Sequence, residues 1–233
     1  MDQLDKIEQN SSSDLSFLND PHCFGLEELP EASKLRARVA KALGKTHLAD
    51  GDLDSSNLAI DDLEDTDSPL FLHLAHGLAY TTGSALGSTP PSLDTCLAAY
   101  LVPNSAGLTA GSRAWSKHSH RSQPPPSDDS ETDKRKRSSG WWGTASGPVS
   151  SINEKSLALF RKVMDNATWR NLHWLPHQIL VYEVRVEEGY GMRWSQDQSP
   201  CEGEDKRPWI FRGFLEPTMA NGHELKWRHP ISA

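Results

Sequence analysis

The chain has 233 residues, 36% of them hydrophobic, and a formal net charge of −8. That charge argues against general nucleic-acid binding, which calls for a basic surface. A mean hydropathy of −0.61 leaves much of the chain outside any core. Cys23, Cys96 and Cys201 show no CxxC spacing, which fits a reducing compartment and supplies no zinc site.

The N-terminus, MDQLDKIEQNSSSDLSF, is acidic and has no apolar run, so no signal peptide is expected. The longest apolar stretch, PLFLHLAHGLAY, is broken by His73, His76 and Gly77 and is too short to cross a bilayer. A soluble intracellular protein with no membrane partner is the expectation. Residues 1–20 read as a disordered tail, and 21–121 as a mainly helical region with an acidic loop at about 45–67.

LPEASKLRARVAKALGK predicts the first helix, with Pro30 in its first turn, Leu35, Val39, Ala42 and Leu43 as a stripe, and Gly44 at the C-cap. Ser68-Pro69 opens a second helix as cap and first residue. SLDTCLAAYLV and SAGLTAGSRAWSKHSHR continue the helical pattern. Residues 122–147, with three prolines, an acidic block and the basic run Lys134, Arg135, Lys136 and Arg137, read as a disordered linker. Trp141 and Trp142 are costly to expose, so they are expected to dock on the helices or on a partner.

Residues 148–233 read as a helix followed by a sheet, sharing one core with 21–121. Ser151 and Glu154 suggest a capping box, and Ile152, Leu159, Phe160, Val163, Met164 and Ala167 form one helical side. From Ile179 the period becomes two. A three-residue turn, Glu187-Glu188-Gly189, pairs Val186 with Tyr190, Val184 with Met192 and Tyr182 with Trp194. Glu183 then lies opposite Arg193. A further strand, Trp209–Leu215, places Trp209, Phe211 and Leu215 on the apolar face, and Ile210, Arg212, Phe214 and Glu216 on the other. The fold class is α+β, with helices packed on one face of a small antiparallel sheet.

The polar face collects Glu183, Arg185, Arg193, Arg212 and Glu216, and the segment NGHELKWRH can bring His223 and Arg228 to its edge. Arginine forks suit a bidentate carboxylate or phosphate. The plainer reading is a solvated face neutralised by Glu183–Arg193 and Arg212–Glu216 pairs. No HExxH, GxSxG or phosphate-cradling glycine loop occurs, and the glycines of GYGMRW suit a turn and a close strand approach. His173 and His177 are separated by Pro176 and gain no third ligand, so no metal and no cofactor are expected. The run Lys134–Arg137 fits a nuclear import signal read by an import receptor. Ser130 and Ser138 flank it as phosphorylation candidates.

HQILVYEVRVEEGYGMRW, followed by FRGFLEPTMANGHELKWRH, resembles a family of uncharacterised eukaryotic proteins, fungal and plant, over about residues 148–229. The resemblance brings no activity and no site residues. The function expected is therefore an intracellular binding module, found in nucleus and cytoplasm, whose sheet face holds an anionic small molecule or an acidic peptide. The alternatives are a small hydrolase using Glu216 and His223, and a nuclear adaptor acting through its linker.

Overall fold

The computed structural model describes residues 18–44, 66–119, 140–200 and 207–218. Helices α1 (Ala32–Ala42), α2 (Pro69–Ala75), α3 (Leu93–Leu101), α4 (Ala110–His118) and α5 (Val149–Asp165) precede strands β1 (Trp169–Leu175), β2 (Ile179–Arg185), β3 (Gly191–Asp197) and β4 (Ile210–Leu215). The strands form one antiparallel sheet in the order β1-β2-β3-β4, with helices packed against it. The α+β reading of the sequence therefore holds.

Local chemistry sets the helix starts. The Ser68, Ser92 and Thr109 side chains accept from the backbone N–H groups of Phe71, Thr95 and Ser112, satisfying donors that a helix start leaves orphaned. The expected capping box at Ser151 is not used. α5 begins three residues earlier, at Val149 behind Pro148, with no side-chain cap.

The core lies between the helices and one sheet face. Tyr100, Trp115, Phe160, Tyr182, Val184, Met192, Trp194 and Phe211 belong to one buried cluster. Tyr100 sits near its centre, against Phe160 and Phe211, with its hydroxyl 2.8 Å from the carbonyl oxygen of Ser156, to which it donates. Trp142 is buried in the same cluster, and its carbonyl accepts from Trp115 Nε1 at 2.8 Å. Trp141 stacks on Tyr190 with ring centroids 4.6 Å apart. The tryptophan pair thus docks on the body of the protein, as the cost of exposing it implied.

The β2–β3 register is the one the alternating pattern specifies, with Tyr182 opposite Trp194, Glu183 opposite Arg193 and Val184 opposite Met192. Gly189 closes the turn at φ 88°, a left-handed conformation that costs glycine little. At Gly191 a Cβ would collide with the Val184 carbonyl oxygen and with Arg185. Gly191→Ala is expected to lower stability by about 1–3 kcal/mol, measurable by urea unfolding.

Two features depart from the sequence reading. β1 occupies a stretch for which no strand is expected, and its outer edge is covered. Ala79 N–H donates to the Arg170 carbonyl at 2.7 Å, Ala85 N–H to Leu172 at 2.8 Å, and Trp174 N–H to Gly83 at 3.2 Å, so the edge offers little for strand addition. In β4 the register shifts: Arg193 lies opposite Gly213, yet Trp194 lies opposite Phe211. Gly213, at φ 126°, takes the conformation the bulge requires. Phe214 is consequently 4% exposed and joins the core instead of the polar face.

Candidate functional site

The sheet face turned away from the main core has a definite layout. Strand alternation and register put Asn171, Glu183 and Arg193 in one row. His173, Val181 and Ser195 form the next row, and Arg185 stands beside the first. His173 is half-buried, and its pKa is lowered by burial first, with Arg193 lowering it further and Glu183 opposing. Burial thus favours the neutral imidazole and opposes its protonation, against the pull of Glu183. The His173 Nδ1, like Asn171 Oδ1, is buried without a hydrogen-bond partner.

Each sequence candidate on this face has a distinct place. Arg185 is buried and structural: its Nε is 2.5 Å from Glu183 Oε1, and its Nη1 donates to the carbonyls of Gly189 at 2.6 Å and Glu216 at 2.9 Å. The expected Glu183–Arg193 ion pair is thus replaced by Glu183–Arg185. Arg193 and Arg212 are exposed, and neither is ion-paired among the described residues. Such arginines can meet a phosphate directly.

Glu216 does not join them. The bulge turns it toward the helices, where its Oε1 accepts from Trp142 Nε1 at 3.0 Å and lies 3.9 Å from His118 Nδ1. The expected Arg212–Glu216 pair does not form. His223 and Arg228 fall outside the described residues, as do the import candidate Lys134–Arg137 and the phosphorylation candidates Ser130 and Ser138. Sequence reading weighed His173 only as a metal ligand beside His177, not as part of this face. Its signal was there, one strand from Glu183, but only a strand at 169–175 puts it on this face.

Cys23 also borders the cluster. Burial pushes its thiol up to about 11, with Arg185 opposing and Glu183 reinforcing, so it stays protonated and is no nucleophile near neutrality. No group of three His, Cys, Asp or Glu side chains with metal-ligand geometry lies among the described residues. No helix among them is long and apolar enough to cross a membrane.

A family model described as the CdiA C-terminal tRNase toxin domain matches residues 131–203. That span is under a third of the chain, and it contains α5, β1, β2 and β3 with Asn171, His173, Glu183, Arg185 and Arg193. No curated protein and no solved structure matches. This similarity replaces the expected resemblance to the uncharacterised eukaryotic family. It also overturns the reading as a binding module for an anionic small molecule or an acidic peptide, together with the Glu216–His223 hydrolase and the nuclear adaptor. Its description as a tRNase domain conflicts with the expectation of no nucleic-acid binding, which rested on net charge.

Charge is unevenly distributed along the chain. Residues 131–203 hold ten Lys and Arg against nine Asp and Glu, a net +1, while the remaining residues carry −9. A whole-chain average hides such a division.

Proposed function

We propose that the protein is an RNA-cleaving toxin domain that acts on tRNA. The observation that carries the reading is the similarity over residues 131–203, which takes in the polar sheet face built by β1, β2 and β3. The face offers what phosphodiester cleavage needs: a neutral imidazole at His173 and exposed guanidinium groups at Arg193 and Arg212. In this reading His173 removes the proton of a ribose 2′-hydroxyl, whose oxygen attacks the neighbouring phosphorus. The bond to the 5′-oxygen breaks, that oxygen takes a proton from water, and a 2′,3′-cyclic phosphate remains. Arg193 and Arg212 hold the charge that builds on the phosphoryl oxygens. Glu183, fixed by Arg185, favours the protonated imidazole through its charge.

The experiment is incubation of the purified chain with a total tRNA pool and, separately, with duplex DNA. Cleavage of tRNA with ends bearing cyclic phosphate, and intact DNA, is the expected outcome. DNA lacks the 2′-hydroxyl on which the chemistry depends, so equal cutting of both would contradict the reading.

A further inference from the structure

Around the hairpin from that face, an open groove of about 560 Å³ runs between the end of α5 and the β2–β3 turn, lined by Trp141, Lys162, Asp165, Asn166, Glu187 and Glu188. Its size lies within the range of ligand pockets, and all six residues fall inside the matched span. The groove adjoins the site through the backbone. Thr168 N–H donates to the Arg185 carbonyl at 3.0 Å, and Arg185 is two residues from Glu187.

Trp141 is held edge-on to Trp142 and flat on Tyr190, with Lys162 Nζ 3.7 Å from its ring centroid. It is a fixed, partly exposed aromatic surface whose outer face already takes a polar cover. The groove's own donors are largely spent: Asn166 Nδ2 donates to the Lys162 carbonyl at 2.8 Å, and Thr168 Oγ1 to the His22 carbonyl at 2.6 Å. The exposed charged lining is a set of acceptors, the carboxylates of Asp165, Glu187 and Glu188, with the Lys162 ammonium. Three carboxylates repel a phosphate, so the part of a nucleotide that suits this groove is its base.

We infer that the groove seats an unpaired base of the RNA substrate, one that presents adjacent N–H donors, which among the four is guanine. The base stacks on Trp141 in place of Lys162, whose ammonium moves to the attached phosphate. A carboxylate accepts the N1–H and N2–H of the base edge. Single-stranded RNA is read by this combination of aromatic stacking and edge hydrogen bonds, and a carboxylate discriminates by accepting from base N–H groups. The inference rests on the RNA reading above.

The test uses the whole chain and the four 5′-ribonucleoside monophosphates in titration calorimetry. GMP is expected to bind at least tenfold more tightly than UMP. Converting Asp165, Glu187 and Glu188 to their amides should collapse that ratio to near one, whereas a general charge effect would raise both affinities alike. Trp141→Leu should weaken all four. The exposed carboxylate positions keep the test decisive if the tryptophan variant does not fold. Four nucleotides binding within threefold of each other, none binding, spermine binding in their place, or a ratio untouched by the amide variants would each overturn the inference. The monophosphates have no bond to cleave, so a chain that cuts tRNA yet binds GMP and UMP alike loses only this inference. A chain that prefers GMP and cuts nothing loses only the cleavage reading.

Discussion

Trp194→Ala is expected to destabilise the protein by about 3–5 kcal/mol, the usual cost of truncating a buried tryptophan. Trp194 is fully buried against Phe160, Tyr182 and Phe211, at the point where β2, β3 and β4 meet the helices. Its Nε1 also donates to the Cys96 carbonyl at 3.1 Å, which ties α3 to the sheet. The alanine variant leaves a cavity and loses the bond to Cys96, whose carbonyl keeps its place in the α3 ladder. For a chain of this size each kcal/mol corresponds to roughly 2–4 °C in Tm. Calorimetry should therefore show a fall of about 6–20 °C. Trp194→Phe keeps most of the ring packing and should fall by much less. Equal losses for the two variants would place the cost in the lost hydrogen bond alone.

Acid should unfold the protein through its buried histidines before its carboxylates titrate. His73 is completely buried in α2, with Nε2 3.0 Å from the Ala79 carbonyl oxygen and Nδ1 without a partner. Burial brings its pKa down to about 4, against a smaller raising effect from the Ala79 carbonyl and further lowering by Arg36 and His76. Because the folded value is depressed, the unfolded chain binds the proton first as pH falls. Stability is therefore constant above about 6.5, declines from there to about 4 and levels off below. Each pKa unit corresponds to about 1.4 kcal/mol, so His73 accounts for roughly 3 kcal/mol over the window. His76 and His173 are shifted in the same direction by burial and steepen it. His73→Gln, which retains a donor for Ala79, should be less stable at pH 7 yet show a flatter dependence between pH 6.5 and 4. An unchanged slope in urea melts would remove His73 from the account.

Sequence pattern alone conveyed a good part of this architecture, and the reasons it conveyed no more are specific. The helix beginning at Pro69 announces itself by a side-chain cap at Ser68, and the β2–β3 hairpin by an alternation that a slip of one residue would ruin. β1 escapes because its buried apolar residues fall on both faces. Trp169 packs with Cys23 and Ala79, and Leu172 with the main core, so WRNLHWL never shows a clean apolar side. The bulge escapes because a lone glycine in FRGFLE reads equally as a tolerated strand residue. That one residue sends Phe214 into the core and Glu216 to the helix side, and it undoes the expected pairing with Arg212.

For the candidate site, the arginines and Glu183 were visible as a charged face, but their division of labour was not. Arg185 is committed to Glu183 and two carbonyls, which only the folded hairpin reveals, whereas Arg193 stays exposed. His173 belongs with them through a strand that the pattern concealed.

The central claim is that this face cleaves tRNA, and Arg193→Ala tests it most directly. The side chain is exposed and not ion-paired among the described residues, so its loss should cost at most about 1 kcal/mol of stability. Wild-type protein should cut tRNA, and the variant should cut at least a hundredfold more slowly with Tm essentially unchanged. Intact tRNA after incubation with folded wild-type protein, or cutting by Arg193→Ala at the wild-type rate, would contradict the account.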